Sequence, residues 1–225
     1  MNKTTTYLMG SMMAVMIAAP AFAGPLTMPV SPVATPSAVV SVATATQNTA
    51  ALNFVTRVTQ EGLAFLEDTS LSQAQKKAKF RSLLTRNFDL NTIGRFALGT
   101  NWRVATPAEQ QQYLKLFSNM VVEVYATRFD EYEGEKVQVQ GVQPLAGSDS
   151  LVTSYIVPAG SGQKVRIDWR IRHNGSNMRV VDVIVEGVSM SVTQRAEFAS
   201  IIQQGGGKVS HLIQHLQAKV SGKSS

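Results

Sequence analysis

His211 and His215 stand four residues apart, a spacing that puts two imidazoles on one face of a helix where a metal ion could be held. No carboxylate or third histidine accompanies them there, so the pair reads as helix surface and no metal is expected. His173 abuts an Asn-Gly turn and is predicted to be exposed. None of the three histidines sits beside a Ser or Asp in a hydrolase motif, so a Ser-His-Asp triad has no support. The sequence has no Gly-x-Ser-x-Gly, no dinucleotide fingerprint and no glycine loop that would cradle a phosphate after a strand. It has no cysteine, which removes thiolate zinc sites, a cysteine nucleophile, disulfides and a lipidated amino-terminal cysteine. Two carboxylates remain. Asp168 and Asp182 fall on predicted strands, where an Asp inside a cone-shaped α+β enzyme acts as a general base with a raised pKa. Asp168 shares its face with Arg166 and Arg170 and reads as an ion pair with one of them. Asp182, with Val180 and Ile184 on its face, is the one candidate that keeps an enzyme reading alive.

The elements that carry these residues are legible from period and punctuation. After Gly134 the pattern alternates, giving four strands at about 135–143, 149–157, 163–173 and 177–186 in an antiparallel meander. In the third, Val165, Ile167, Trp169 and Ile171 face one way while Arg166, Asp168, Arg170 and Arg172 face the other, so one side of the sheet is apolar and one is wet. Asn174-Gly175-Ser176 matches a glycosylation acceptor but reads better as a hairpin turn. Helices flank the sheet. Leu52, Val55, Val58, Leu63 and Leu66 make one stripe from about Ala51, and a second helix follows Ser70 as cap. Asp89 caps a short helix that Gly99 ends. Thr106-Pro107-Ala108-Glu109 opens a long helix to about Glu131, whose apolar face is broad. A helix at about 190–204, a triple glycine and a terminal helix to about Val220 complete an α+β order.

The 225 residues, 44% hydrophobic and 16% charged, suit one folded domain with a core large enough to need no staples. The net charge of +6 suits nucleic acid or an anionic membrane surface. Nucleic-acid binding needs aromatics interleaved with the basic residues, whereas Trp169 and its aliphatic neighbours point away from the arginines, and nucleic acid is not expected as a partner. Lys3, the apolar run from Tyr7 to Ala19 and the Ala21-Phe22-Ala23 site describe a cleavable signal peptide over 1–23. That run falls short of the roughly 20 residues of a membrane-crossing helix. Residues 24–50 are mostly Pro, Ala, Thr, Ser and Val, with no charged residue and no helical period, and are predicted to be a flexible linker. The domain proper is expected over 51–220, with a disordered tail at 221–225.

Two segments are more distinctive than their periods. One is Phe88-Asp89, Gly94-Arg95-Phe96-Ala97-Leu98-Gly99, Trp102-Arg103 and Ala105 to Glu109. The other is Val181-Asp182-Val183-Ile184-Val185-Glu186-Gly187-Val188-Ser189-Met190, followed by Arg195 and Phe198. Together, across about residues 50–220, these resemble the MlaC or toluene-tolerance family of periplasmic phospholipid-binding proteins. The resemblance implies a curved, NTF2/cystatin-like antiparallel sheet of four strands wrapped by helices, with an apolar cavity between sheet and helices that takes acyl chains. It also implies a periplasmic shuttle with no cofactor and no catalysis. Its implied partners are phospholipid, an inner-membrane ABC transporter complex with its substrate-binding-type ring, and an outer-membrane lipoprotein with a porin. The long uncharged linker departs from the family's usual start. On this footing the cavity wall is expected from Phe88, Phe96, Phe117, Val121, Tyr125, Val139, Ile167, Trp169, Val183, Val185, Val188 and Met190. Arg95, Arg103 and Arg195 are expected in structural ion pairs.

Overall fold

The computed structural model describes residues 39–175 and 177–222, so the expected signal peptide over 1–23, the expected linker as far as residue 38, Ser176 and the last three residues lie outside the described residues. Its elements run α1 (Val39–Glu67), α2 (Gln73–Asn87), α3 (Leu90–Leu98), α4 (Pro107–Ala126), β1 (Lys136–Pro144), β2 (Asp149–Val157), β3 (Val165–Asn174), β4 (Asn177–Val185), β5 (Val188–Ser189), α5 (Met190–Gln204) and α6 (Val209–Val220). The strands form one antiparallel sheet in sequence order, an α+β fold as the pattern predicts. The sheet has five strands rather than four. The fifth is two residues long, and the chain reaches it by a tight Glu186-Gly187 turn with both φ values positive, the geometry that matches strand twist. So short a strand has no alternation to betray it.

Three helix boundaries differ from expectation. The segment 39–50, read as linker, is the start of α1. No proline lies between Pro36 and the end of α1, and a helix already nucleated further along extends at little cost through Ala, Val and Thr. Ser72, not Ser70, caps α2, because Ser72 and Gln75 close a reciprocal capping box while Ser70 is held by Asp68 in the preceding turn. α4 ends at Ala126 rather than Glu131, and a 3-10 turn over Phe129–Glu131 drops Phe129 onto the rings of Phe65 and Phe80. The caps at Asp89 and Thr106 form as predicted. Gly99 ends α3 at φ 62, where a Cβ would also lie 2.8 Å from Nε of Arg195.

Two apolar cores result. In the helical one, α3, α4, α5 and α6 meet around Tyr113, Phe117, Phe198 and Leu212. Gly94 lets α3 approach α4, since a Cβ there would stand 2.9 Å from Leu114 and 3.0 Å from Phe117, and its carbonyl accepts the buried Tyr113 hydroxyl at 2.8 Å. In the other, α1 and α2 cover the apolar face of the sheet through Ala51, Phe54, Val55, Val58, Leu83, Val152, Ile171 and Val180. α1 lies on β1 and β2, whereas α4 packs chiefly on α2, α3 and α6 and has no strand among its main partners. The seam between the two cores is where the site is found.

Candidate functional site

The seam can be followed along one side of α4. Ser118, Val121 and Tyr125 recur at helical spacing and so share a face. Ser118 lines a hollow of about 430 Å³ together with Phe88, which lies between α2 and α3. Tyr125 stands 6.2 Å, ring to ring, from Phe80 on α2. Phe88 in turn meets Trp169 edge-on at 6.4 Å, and Trp169 is paired across the β3–β4 ladder with Val183. Phe88, Trp169, Val183 and Val139 pack against the sheet core, and Val121 and Val124 against the helical one, yet all six are only half-buried. Tyr125 exposes 37% of its surface, although desolvation by surrounding protein pushes its phenol pKa up. A side chain enclosed by protein yet still accessible faces a cleft rather than open solvent.

Of the residues expected in a cavity wall, Phe88, Trp169 and Val183 meet on the sheet side of this seam and Val121 and Tyr125 share the α4 face beside it, while Val139 packs on the sheet core from β1, which α1 covers. Phe117 at 2% exposed and Ile167 at 6% lie in sealed packing instead. Phe96 is 42% exposed and carries the guanidinium of Arg195 over its ring at 5.4 Å. Val185 pairs with Val188 across the last turn, and Met190 opens α5, so these three form a separate half-buried corner. The arginines of the distinctive blocks make no carboxylate pair among the described residues: Arg95 lies over Trp102 at 5.0 Å and Arg195 over Phe96, cation–π contacts in place of the expected ion pairs.

The polar face of the sheet is neutralised from within. Asp168 accepts from Thr153 at 2.6 Å and pairs with Arg166 at 3.1 Å, as its strand position suggested. Asp149 takes Arg170 at 2.8 Å and Arg172 at 3.0 Å across the β2–β3 ladder. Burial alone would raise the Asp149 carboxyl, but the hydrogen bonds from Arg172 and Arg170 outweigh it and hold the pKa below its ordinary value. Asp182 is not on the face of Val180. A bulge between them turns Val180 toward Ile171 on the apolar side and sets Asp182 opposite Arg170. Its carboxylate accepts the Ser189 hydroxyl at 2.6 Å and the Ser191 amide at 3.2 Å, which ties β4 to the start of α5. That is a structural post, and the general-base candidate loses its support. Among the described residues no three His, Asp or Glu side chains converge on a metal position. His173 is half-buried, not exposed, with Nε2 3.0 Å from the Ser150 hydroxyl.

A second hollow, about 320 Å³, adjoins the first and shares Asp89 and Arg179 with it; Arg172, Asn174 and Asn177 complete its lining. Neither hollow has the purely apolar wall that the family resemblance implies. They form a polar mouth beside an apolar seam. Taken singly, Arg179 reads as a solvated strand residue and Asp89 as a helix cap, but the Asn-Gly turn is a signal that joins Arg179 to Arg172: a hairpin closing there places the two directly opposite.

The sequence model of the family described as MlaC protein matches residues 56–218. A Haemophilus influenzae protein named intermembrane phospholipid transport system binding protein MlaC is 21% identical over 136 residues, spanning 59% of this chain and 63% of that protein. Toluene tolerance protein ttg2D of Pseudomonas putida is 23% identical over 111 residues, 49% of this chain and 51% of the relative. In both cases the alignment spans less than two thirds of the relative's own length. Among solved structures, a phospholipid-binding protein from Ralstonia solanacearum in complex with a phospholipid has the same fold. Its TM-score is 0.66 at 22% identity, and the alignment covers 77% of this chain and 98% of that one. No helix among the described residues is long and apolar enough to cross a membrane.

Proposed function

The chain belongs to the MlaC family, and on that premise we propose that it is a periplasmic phospholipid carrier that holds acyl chains along the seam between its two cores. The observation that carries this reading is the run of half-buried apolar side chains from Tyr125 through Val121 to Phe88, Trp169 and Val183, which neither core seals. Each CH₂ withdrawn from water is worth about 0.8 kcal/mol, so two acyl chains are held without any catalytic group. Opening the seam to admit them separates α4 from the sheet, and α4 has few bonds there to lose. The headgroup stays at the polar mouth.

In this reading the chain is exported by the signal peptide and takes lipid between an outer-membrane lipoprotein with its porin and an inner-membrane ABC transporter complex carrying a substrate-binding-type ring. Outer-membrane lipid asymmetry is the property so maintained. The positive net charge of +6 aids encounter with acidic docking faces or anionic lipid, an effect that weakens with salt. An enzyme built on Asp182 has nothing comparable behind it, because that carboxylate is spent on anchoring α5.

The test is native mass spectrometry of the mature protein, purified from its host without detergent, followed by lipid extraction. A bound mass equal to one or two phospholipids is expected. A protein that emerges empty and stays empty after incubation with phospholipid vesicles overturns the carrier reading.

A further inference from the structure

At the hairpin end of β3 and β4, two cations are set directly across the ladder from one another, Arg172 opposite Arg179. Like charges in that position repel and destabilise a sheet unless something neutralises them. Arg172 has Asp149, which it grips through Nε at 3.0 Å and a terminal nitrogen at 3.1 Å, and the other donors of its fork have no partner among the described residues. Among the described residues Arg179 pairs with no carboxylate and makes one hydrogen bond, donated to the Thr85 carbonyl at 2.8 Å. Both arginines line the 320 Å³ hollow, together with Asp89, Asn174 and Asn177. Asp89 and Arg179 also line the adjoining hollow that reaches Phe88, and Phe88 is the ring against Trp169 in the seam.

We propose that Arg179 and Arg172 form a phosphate cradle at the mouth of the seam, which binds the phosphodiester of a lipid whose tails lie beyond Phe88. The assignment rests on the carrier reading. The planar forks of arginine suit phosphate oxygens, and an anion between them removes the repulsion across the ladder. Asp89 narrows the choice. Its charge reaches Arg172, whose pKa is raised first by the Asp149 hydrogen bond and in lesser part by Asp89. Asp89 therefore disfavours a dianion such as free phosphate. It favours a monoanionic phosphodiester, and most of all one with a cationic amine beyond it, as in an ethanolamine headgroup. The carboxylate is already fixed in place by the Thr92 amide at 2.9 Å and the Thr92 hydroxyl at 2.7 Å.

The experiment compares lipids with identical tails. The full mature chain is incubated with vesicles of palmitoyl-oleoyl phosphatidylethanolamine doped with palmitoyl-oleoyl-glycerol, which has no phosphate, and the bound lipid is read by native mass spectrometry. The wild type is expected to prefer the phospholipid. Arg179→Gln is expected to reduce that preference about tenfold, with diacylglycerol uptake unchanged, thermal stability not lowered because the cross-strand repulsion is relieved, and the preference largely kept in Arg179→Lys. Arg179 is exposed and its replacement leaves both cores intact, so a folding defect is not the expected outcome. An unchanged preference in Arg179→Gln, or equal uptake of both lipids by the wild type, overturns the cradle while leaving the carrier standing. Uptake of neither lipid overturns the carrier, and the cradle with it. In a parallel NMR titration, inorganic phosphate that perturbs the Arg179 side chain as strongly as glycerophosphoethanolamine does would assign the pocket to the free anion, against the proposal.

Discussion

Around Tyr113, rings close on rings: Phe117 and Phe198 stand about 6 Å away on two sides, and Leu212 and Leu216 finish the packing without access to solvent. Around Trp169 the same residue types do not close. Phe88 meets it edge-on and Val183 sits across the ladder, but β3, which carries Trp169, has no helix among its main partners, whereas α1 lies along β1. The contrast extends inside the sheet core itself, where Val152, Ile171 and Val180 are fully buried while Trp169, Val183 and Val139 are not. Stability is concentrated where packing is complete, and apolar surface left half-covered is a standing capacity for a guest. A protein that must take up and give back a lipid needs both, and needs them in different places.

The sharpest way to break that comparison is to insult each region separately. Val183→Arg puts a charge into the seam, where acyl chains would have to desolvate it, and is expected to abolish lipid loading with a loss of only about 1 kcal/mol of stability. Leu212→Ala hollows the sealed helical core and is expected to cost about 3 kcal/mol in denaturant unfolding while leaving the loaded fraction unchanged. Native mass spectra and urea curves of the two variants decide it. If Leu212→Ala lost lipid as fully as Val183→Arg, the two regions would not be functionally distinct. Ile167→Arg, although on the same sheet face as Val183 by strand register, belongs with the structural insults because Ile167 is in sealed packing.

A smaller effect separates the polar face from both cores. The Asp149 carboxyl is held below its ordinary value of 3.8 by Arg172 and Arg170. A folded-state pKa lowered in this way contributes stability that is fully present above the unfolded carboxyl's range and is lost as pH falls through the lower folded value. Asp149→Asn is expected to cost about 1–2 kcal/mol at neutral pH, since the carboxylate is buried but its arginines are nearly half exposed. The penalty should vanish toward acid, where the wild type has lost the same charge. Thermal unfolding followed from neutral pH down to about 3 measures it, and a penalty constant across that range would remove the ion network from the account of stability.

Much of this organisation was written in local pattern. Strict alternation located Val165 to Arg172 with the right faces, and the caps at Asp89 and Thr106 are set by side chains three residues from their targets. What escaped depends on partners far along the chain or on a single inserted residue. The bulge beside Val181 reverses the face of Asp182 without altering the apparent alternation around it. The apolar stripe of α4 is a single broad arc in which Phe117 is sealed in the helical core while Val121 and Tyr125, one and two turns further on, stay partly accessible at the seam, and hydrophobicity looks the same for both. Phe96 was grouped with the wall for the same reason, though its ring is on the surface beneath Arg195. The polar mouth was overlooked because each of its charges, taken singly, reads as an ordinary solvated strand residue.

The smallest expected effect makes the finest comparison, since it changes the same residue type at successive positions of one helix. Val122 is buried at 1% exposure, whereas Val121 is half-buried on the face that runs from Ser118 to Tyr125. Removing two methyl groups from Val122 forfeits their transfer energy and leaves a void, a cost of about 2 kcal/mol. The same truncation at Val121 removes methyls that still touch solvent in the empty protein, and about 0.5 kcal/mol is expected. The lipid reverses the order. With acyl chains in place Val121 becomes the better-buried residue, so Val121→Ala should weaken lipid retention in a vesicle-transfer assay while Val122→Ala leaves it unaltered. Retention equally insensitive to both substitutions would place the tails somewhere other than along this face of α4.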